Sequence, residues 1–133
     1  MKDTEKKQTI LILDDDNFML DMYSIKFKEH GFDVNISADP KKALKMLRDG
    51  LSPSVILFDI VMPDIDGIEF LETIKNEKLA TNTALIAVSN QWEESYIEKA
   101  KKLGVDDYII KADTIPSEVL SKVEEIIKSH NKN

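Results

Sequence analysis

Polar side chains stand at the end of four apolar runs of the chain. They comprise an acidic triplet, a lone carboxylate, a hydroxyl followed by an amide, and an ammonium: Asp14 to Asp16, Asp59, Ser89 with Asn90, and Lys111. Clustered carboxylates repel and raise each other's pKa, so they need positive charge nearby. Lys111 supplies one charge. The remaining positive charge could come from a hard cation such as Mg²⁺, which prefers oxygen ligands and retains waters.

These groups together are suited to accepting a phosphoryl group. A carboxylate can act as the nucleophile, while an ammonium and a metal neutralise the charge on the equatorial phosphoryl oxygens. The alternative is that these are solvated turn residues, because aspartate favours turns and strand ends are commonly polar. We favour the phosphoryl chemistry because two of the acidic strand ends are predicted to flank a single crevice.

Five strand-like runs alternate with five helix-like segments along the chain. Strands are predicted at Thr9–Leu13, Asp33–Ser37, Val55–Phe58, Ala84–Val88 and Tyr108–Ile110. Helices are predicted over Phe18–His30, from Pro40 through Arg48, and over Ile68–Asn76, Trp92–Leu103 and Ser117–Lys128, with either Pro116 before the last cap or Ser117 as the cap. Strict alternation with short connections indicates a parallel sheet covered by helices on both faces.

The pattern within each strand predicts the order of the sheet. The first, third and fourth strands are continuously apolar, as in strands covered on both faces, whereas the second alternates and the fifth starts with Asp106 and Asp107. Central and edge strands assigned in this way fit an α/β, flavodoxin-like doubly wound (βα)5 sheet of order 2-1-3-4-5. Ligands of such sheets bind beyond the carboxyl ends of the strands, where the polar residues fall.

Composition excludes several classes of function. The chain has 133 residues, 18 Lys and Arg against 25 Asp and Glu, two His and no Cys. This length predicts one domain, and the lack of Cys rules out disulfides, zinc–thiolate and iron–sulfur sites and thiol nucleophiles. The net charge of −7 argues against direct nucleic acid binding. No apolar run is long enough for a membrane span and the N-terminus is charged, so we expect a cytoplasmic protein.

Four segments of the chain resemble the response-regulator receiver domain of two-component signal transduction, the CheY-like family. They are ILILDDDN, VILFDIVMPDIDG, IAVSN and DDYIIKA, and they occur in the order and spacing of that family. The resemblance extends from about Thr9 to Lys128, and FDIVMPDIDG is its most specific part. We therefore expect a polar leader at residues 1–8, a receiver domain at 9–128 and a polar tail at 129–133.

The resemblance implies a role for each polar residue at the strand ends. Asp59 would be the phosphoacceptor and, with Asp14 and Asp15, would form the acidic Mg²⁺ site, in which Asp15 binds directly and Asp14 orients a metal-bound water. The backbone carbonyl of Val61 would be a further protein ligand. Ser89 and Lys111 would each contact a phosphoryl oxygen. Ser89 and Tyr108 would form the switch, in which Tyr108 turns inward as the Ser89 hydroxyl moves toward the phosphoryl group. Asp16 is interpreted only as the start of a helix.

The resemblance also implies a function and partners. A histidine kinase or phosphotransfer protein would donate the phosphoryl group, and phosphorylation would change a partner-binding face on the fourth helix, fifth strand and fifth helix. Trp92, Tyr96 and Ile97 could contribute to that face. The recipient of the signal would be a separate protein, a missing output domain or a second copy in a phosphorylation-dependent homodimer. Such a domain is a regulatory phosphoacceptor rather than an enzyme with an external substrate.

Four residues near the predicted site depart from the family pattern or vary within it. Ala112 replaces the proline that usually follows the lysine. A cis bond to a non-proline residue costs about 2.5–4 kcal/mol, so a trans loop of different shape is favoured while the sequence leaves the isomer open. Asn90 is larger than the usual residue and could narrow the access of the phosphodonor. Val61 and Gln91 stand at positions that resemble those tuning phosphoryl lifetime.

Two other functions compete with this interpretation. A degenerate receiver would act only as a protein-interaction module, and Asn90 and Ala112 leave that open. A haloacid-dehalogenase-type phosphohydrolase begins with an apolar strand and a D-x-D motif, which Asp14 and Asp16 supply. That family places its lysine before a late acidic pair, whereas Lys111 comes after the pair here, which makes the hydrolase the weaker alternative.

Overall fold

The computed structural model describes residues 8–90 and 93–130, in which five strands alternate with five α-helices. In chain order they are β1 Thr9–Leu13, α1 Asn17–Glu29, β2 Asp33–Ser37, α2 Pro40–Arg48, β3 Val55–Phe58, α3 Gly67–Asn76, β4 Ala84–Ser89, α4 Glu94–Lys102, β5 Asp107–Ile110 and α5 Pro116–His130. A 3₁₀ turn at Lys111–Asp113 joins β5 to α5. No helix within these ranges is long and apolar enough to cross a membrane.

All five strands are parallel, and their order is β2-β1-β3-β4-β5. The predicted fold class and strand order are therefore confirmed. The three central strands are buried along almost their whole length, while Ile36 on the edge strand β2 is 40% exposed. Continuous and alternating apolar patterns thus separated central strands from edge strands correctly.

The sheet has a separate hydrophobic core on each face. Alternate residues of a strand point to opposite faces, so Ile10 and Ile12 pack under α1 and α5, whereas Leu11 and Leu13 pack under α2, α3 and α4. On α1, the side chain of Tyr23 belongs to the first of these cores. The two cores fix the positions of the strand ends, where the polar residues lie.

Aspartate caps begin the first three helices. Asp16 accepts a hydrogen bond from the backbone N–H of Phe18, and Asp39 does the same for Lys41 ahead of Pro40. Asp66 forms a reciprocal capping box with Glu69 on α3. The expectation that Asp16 starts a helix is confirmed.

The start of α5 differs from both predicted alternatives. The helix begins at Pro116, and the carbonyl of Ile115 accepts from the N–H groups of Glu118 and Val119. Ile115 is therefore the cap residue, and its own N–H donates to the Glu118 carboxylate at 3.1 Å. Proline suits the first helical position because it has no N–H to satisfy. The helix also extends two residues beyond the predicted Lys128, to His130.

The start of α4 and the peptide bond after Lys111 can be compared only in part with the predictions. α4 begins at Glu94, and the predicted start, Trp92, lies outside the described residues. No cis peptide bond occurs among the described residues, so the bond from Lys111 to Ala112 is trans. The trans alternative for this loop is the one observed.

Gly67 sets the path of the chain beside Asp59. Its N–H donates to the carbonyl of Ile60 at 2.7 Å. A Cβ at this position would meet the backbone of Asp59 and Ile60, with the Ile60 Cα only 2.7 Å away. Close backbone contact, rather than the turn alone, therefore requires glycine at this position.

Candidate functional site

Parallel pairing places Asp14 and Asp59 side by side at the carboxyl edge of the sheet. Leu13 on β1 is in register with Phe58 on β3, and each is followed directly by an aspartate. Backbone hydrogen bonds hold both residues, from Asp59 N–H to the Leu13 carbonyl at 2.9 Å and from Asp14 N–H to Ser37 at 3.2 Å. The strands themselves therefore position both carboxylates.

Three carboxylates converge at this edge. Asp14, Asp15 and Asp59 each offer an oxygen, and these oxygens lie within 4.8 Å of one another. Asp14 and Asp59 are 3% and 7% exposed, whereas Asp15 is open to solvent. The set therefore combines two buried carboxylates with one that remains accessible from outside.

Lys111, the first residue after β5, bridges the two buried carboxylates. Its Nζ lies 2.8 Å from Oδ2 of Asp14 and 3.0 Å from Oδ2 of Asp59. The three side chains are only 12%, 4% and 9% exposed, respectively. One ammonium is thus shared between two carboxylates in a poorly solvated position, where an ion pair is screened little by solvent.

Backbone N–H groups hold the other oxygen of each carboxylate. Oδ1 of Asp14 accepts from the N–H of Asp16 at 2.9 Å. Oδ1 of Asp59 accepts from the N–H of Ile60 at 2.7 Å and, more weakly, from that of Val61 at 3.4 Å. Both carboxylates are therefore fixed in orientation, with Oδ2 turned towards Lys111.

The pKa values of Asp14 and Lys111 reflect this sharing of one ammonium between two carboxylates. Burial raises the pKa of Asp14 above its ordinary value, and the hydrogen bond from Lys111 offsets this only in part. Burial alone would lower the pKa of Lys111, but its hydrogen bonds and charge interactions with Asp14 and Asp59 raise it overall. The ammonium is well compensated by two partners, whereas the carboxylates remain short of positive charge.

Ser89 and Tyr108 lie on the neighbouring strands β4 and β5. Ser89 ends β4 and is 1% exposed, while Tyr108 is half-buried. The pKa of Tyr108 is raised, mainly by burial, and the neighbouring Ser89 hydroxyl offsets this rise in part. The charge of Asp59 also acts on Tyr108, which places the aromatic side chain within electrostatic reach of the carboxylate.

The residues predicted to tune the site lie at its outer edge where they are described. Val61 is 56% exposed, and Asn90 and Ala112 are also exposed. Gln91 lies outside the described residues. The side chain of Asp16 caps α1 instead of joining the acidic cluster, so the D-x-D pattern does not bring Asp14 and Asp16 together in the way a phosphohydrolase site would require.

Tyr23 lies closer to the site than the sequence indicated. It belongs to the core under α1 and α5, where it is 3% exposed. Burial raises its pKa to about 12, and the charges of Lys111, Asp14 and Asp59 also act on it. Periodicity gives no signal for this proximity, because it fixes the face of a helix but not the distance to a strand end.

The chemistry of the donors fits Mg²⁺. The cluster offers only carboxylate oxygens within a short span, one of them exposed, and a magnesium site typically uses one or two protein carboxylates and keeps several waters. The shortage of positive charge around Asp14 and Asp59 is an independent feature that a cation would relieve. Asp14, Asp15 and Asp59 are therefore suitable to hold the ion.

Comparison with known proteins agrees with this arrangement. Residues 10–124 match the family model described as the response regulator receiver domain. The chain belongs to the receiver-domain family of response regulators. It is also similar to the structure of a CheY-like receiver domain protein from Methanospirillum hungatei JF-1, with 28% identity and a TM-score of 0.87 over 96% of this chain and 98% of that one.

Curated relatives share the domain but are longer. The alkaline phosphatase synthesis transcriptional regulatory protein PhoP of Bacillus subtilis (strain 168) is 27% identical over 90% of this chain and 48% of its own length. The regulatory protein AtoC of Escherichia coli (strain K12) is 33% identical over 77% of this chain and 22% of its own. The chain thus spans about half or less of these two relatives.

Proposed function

We propose that the chain is a phospho-accepting signalling switch in which Asp59 receives a phosphoryl group from a histidine kinase or a phosphotransfer protein. The observation that carries the proposal is the convergence of three carboxylates on one edge, with a single ammonium between the two buried ones. A structural ion pair needs only one carboxylate for each ammonium. The surplus of negative charge is what a phosphoryl-transfer site with a divalent cation requires.

Asp59 forms the new bond through Oδ2. Its Oδ1 is held by the N–H groups of Ile60 and Val61, which leaves Oδ2 as the nucleophile. Oδ2 attacks the phosphorus of a phosphohistidine, the P–N bond breaks, and the imidazole leaves with the electron pair of that bond. An acyl phosphate on Asp59 and a free histidine are the products.

Lys111 and Ser89 act on the oxygens of the transferred group. The ammonium already lies 3.0 Å from the attacking oxygen, so it can stay close to the phosphoryl group as negative charge accumulates there. Ser89 is held at the end of β4 and donates its hydroxyl hydrogen to a second phosphoryl oxygen. Preorganised donors of this kind need little rearrangement during the reaction.

Mg²⁺ would be held by Asp14, Asp15 and Asp59 together with the backbone carbonyl of Val61. When bound, the ion supplies positive charge that offsets the charge of the phosphoryl oxygens and of the carboxylates. Asp15 is the exposed member of the set and gives the ion its route of entry. Asp14 would orient a water bound to the ion.

The recipient of the signal is a downstream protein or an output domain. Longer relatives with names that denote regulatory proteins support this class of role. Residues 9–128 form the receiver unit. Phosphorylation changes the face made by α4, β5 and α5. Two copies of the chain could also associate through that face in a phosphorylation-dependent homodimer. The domain acts as a regulatory phosphoacceptor and does not turn over an external substrate. It works in the cytoplasm, where it receives the phosphoryl group from the phosphohistidine of the kinase or phosphotransfer protein.

The test is the intact mass of the protein after incubation with acetyl phosphate, with and without Mg²⁺. We expect a Mg²⁺-dependent gain of one labile phosphoryl group in wild type and no gain in Asp59→Asn. Asp16→Asn is the matched control, because it changes a nearby carboxylate that caps α1 and should retain the gain. No gain in wild type, either with acetyl phosphate or with a panel of phosphorylated histidine donors, would contradict the proposal and favour an interaction module.

A further inference from the structure

Asp64 has a backbone conformation that is uncommon for a residue with a side chain. Its φ is +67°, and only two other non-glycine residues in the described part of the chain, Lys78 and Ala80, have a positive φ. The N–H of Ile65 donates to the carbonyl of Pro63 at 2.9 Å, so Asp64 is the central residue of a γ-turn. A positive φ at the centre makes this the rarer, strained form of that turn. The surrounding structure must therefore hold Asp64 in this conformation.

The anchors of the loop between β3 and α3 explain why the strain falls on this residue. Met62 is 7% exposed and belongs to the core under α2, α3 and α4, and the N–H of Gly67 is bonded to the carbonyl of Ile60. The chain must therefore reverse its direction within residues 63–66. Proline at 63 keeps its φ at about −65°, and Asp66 is extended because it caps α3. The reversal is thus concentrated at Asp64.

The same loop holds the carboxylate of Asp59. The N–H groups of Ile60 and Val61, at the start of the loop, both donate to Oδ1 of Asp59. Val61 stands only three residues before Asp64 and is itself 56% exposed, so its side chain contributes little anchoring to the core. The position of the Val61 backbone therefore depends on the path that the rest of the loop takes.

We propose that Asp64 is a positioning residue. Its left-handed backbone holds the loop in one shape and thereby fixes two groups of Val61: the N–H that donates to Asp59, and the carbonyl that would bind Mg²⁺. The role of the carbonyl rests on the proposed function, whereas the role of the N–H does not. Asp64 acts through the backbone and needs no contact with the ion or the phosphoryl group.

The identity of residue 64 matters because glycine would adopt the same turn without strain. Three described glycines, Gly31, Gly50 and Gly104, carry positive φ values elsewhere in the chain. Aspartate tolerates the left-handed region better than most residues but has far fewer backbone conformations available than glycine. With aspartate, the loop is already ordered before the ion binds. With glycine, it would sample other shapes and lose that freedom on binding.

Lys78 provides the matched control, because its left-handed backbone has an ordinary structural cause. Its φ is +56°. Its N–H donates to the carbonyl of Lys75 at 3.2 Å, and the N–H of Leu79 donates to the carbonyl of Ile74 at 2.9 Å. This pattern is the usual left-handed ending of a helix. Lys78 follows the far end of α3, so glycine there frees the backbone without affecting the loop beside Asp59.

The experiment compares wild type with Asp64→Gly, Asp64→Asn and Lys78→Gly. Backbone NMR of the metal-free proteins follows the N–H signals of Ile60 and Val61. Isothermal titration calorimetry then measures the affinity for Mg²⁺ without a phosphodonor. Asp64→Asn removes the charge but keeps a side chain that tolerates the left-handed region, so it separates the effect of charge from that of backbone freedom. Asp64→Gly should fold, since glycine adopts a positive φ readily.

We expect the metal-free signals of Ile60 and Val61 to move in Asp64→Gly and to stay close to their wild-type positions in Asp64→Asn and Lys78→Gly. Half-saturation should require about two to five times more Mg²⁺ in Asp64→Gly than in Asp64→Asn, and Lys78→Gly should match wild type. Unchanged signals in metal-free Asp64→Gly overturn the proposal, whether or not Mg²⁺ binds. Equal Mg²⁺ affinities of the two Asp64 variants overturn the role of the carbonyl. Failure of wild type to bind Mg²⁺ contradicts the proposed function instead.

Discussion

The two edges of the sheet treat polar side chains in opposite ways. At the amino edge, the buried Thr83 donates to the carbonyl of Pro53 at 2.7 Å, and the carboxylate of the exposed Asp106 accepts from the N–H of Leu85 at 2.7 Å. Each side chain there has a neutral backbone partner of its own. At the carboxyl edge, Asp14 and Asp59 share the single ammonium of Lys111.

This difference separates structural polar groups from functional ones. A hydrogen bond to the backbone satisfies a buried group and contributes to stability. A buried carboxylate that shares one ammonium with a second carboxylate destabilises the folded state, because its desolvation is not fully offset. Polar residues are common at both edges of the sheet, so it is the unmatched charge and not polarity that marks the carboxyl edge as the site.

Removal of the ammonium should produce the largest effect. Lys111→Met keeps most of the side-chain volume but removes the charge beside Oδ2 of Asp59, the oxygen proposed to attack. We expect the rate of phosphoryl incorporation from acetyl phosphate to fall about 10²–10³-fold, as for the loss of one transition-state donor. Mg²⁺ should still bind, and more tightly, because the competing cation is absent.

Thr83→Val supplies the comparison at the amino edge. It removes a buried hydrogen bond from Thr83 to Pro53 and should cost about 1 kcal/mol of stability, with an unchanged rate of phosphoryl incorporation. Rates are read from intact mass over time, and stability from urea unfolding. Equal rates for Lys111→Met and wild type would contradict the role given to the carboxyl edge.

Gly67→Ala should produce the next largest effect, through the backbone. The added Cβ would overlap the chain next to Asp59, and we expect a loss of about 3 kcal/mol in the free energy of unfolding together with slower phosphoryl incorporation. Gly31→Ala is the control, because Gly31 has a φ of +86° but open space around its Cβ position. It should cost about 1 kcal/mol and leave the incorporation rate unchanged. An equal loss of rate in both variants would show that general destabilisation is responsible.

The fold was largely predictable from the sequence because hydrophobic periodicity reports burial directly. Continuous and alternating runs identified central and edge strands, and the strand order then implied that Asp14 and Asp59 would meet. The start of α5 was not predictable in the same way. Proline and serine each have several favourable positions near a helix start, and the choice of Ile115 as cap depends on the turn that follows Lys111.

Within the site, positions along the strands were predictable and distances across elements were not. Sequence alone did not distinguish buried Asp14 from exposed Asp15, although they are adjacent. It also gave no sign that Tyr23 on α1 lies within electrostatic reach of Asp14, Asp59 and Lys111, since that distance depends on how the helix packs against the sheet. The roles of the site residues in phosphoryl transfer stay predictions until phosphorylation is measured.

A pair of substitutions should change stability in opposite directions at the two edges. Asp106→Ala leaves the N–H of Leu85 without its carboxylate partner, and we expect a loss of about 1 kcal/mol. Asp14→Asn removes a buried charge that is only partly compensated and should raise the free energy of unfolding by about 1 kcal/mol. Urea unfolding at neutral pH without divalent cations measures both variants. Losses of unfolding free energy of similar size would contradict the proposed difference between the two edges.

The smallest expected effect is the pH dependence of the gain in unfolding free energy that Asp14→Asn produces. Burial raises the pKa of Asp14 above its ordinary value of 3.8, so between that value and the raised one the folded protein binds more protons than the unfolded chain. The contribution of Asp14 to stability therefore falls as pH rises through this window, and its full cost is present above the raised pKa. Asp14→Asn lacks this titration, and its advantage over wild type should shrink as pH is lowered from 7 towards 4. Urea unfolding of both proteins across that range tests the point. A constant difference would mean that Asp14 carries no uncompensated charge, and the contrast between the two edges would then rest on geometry alone.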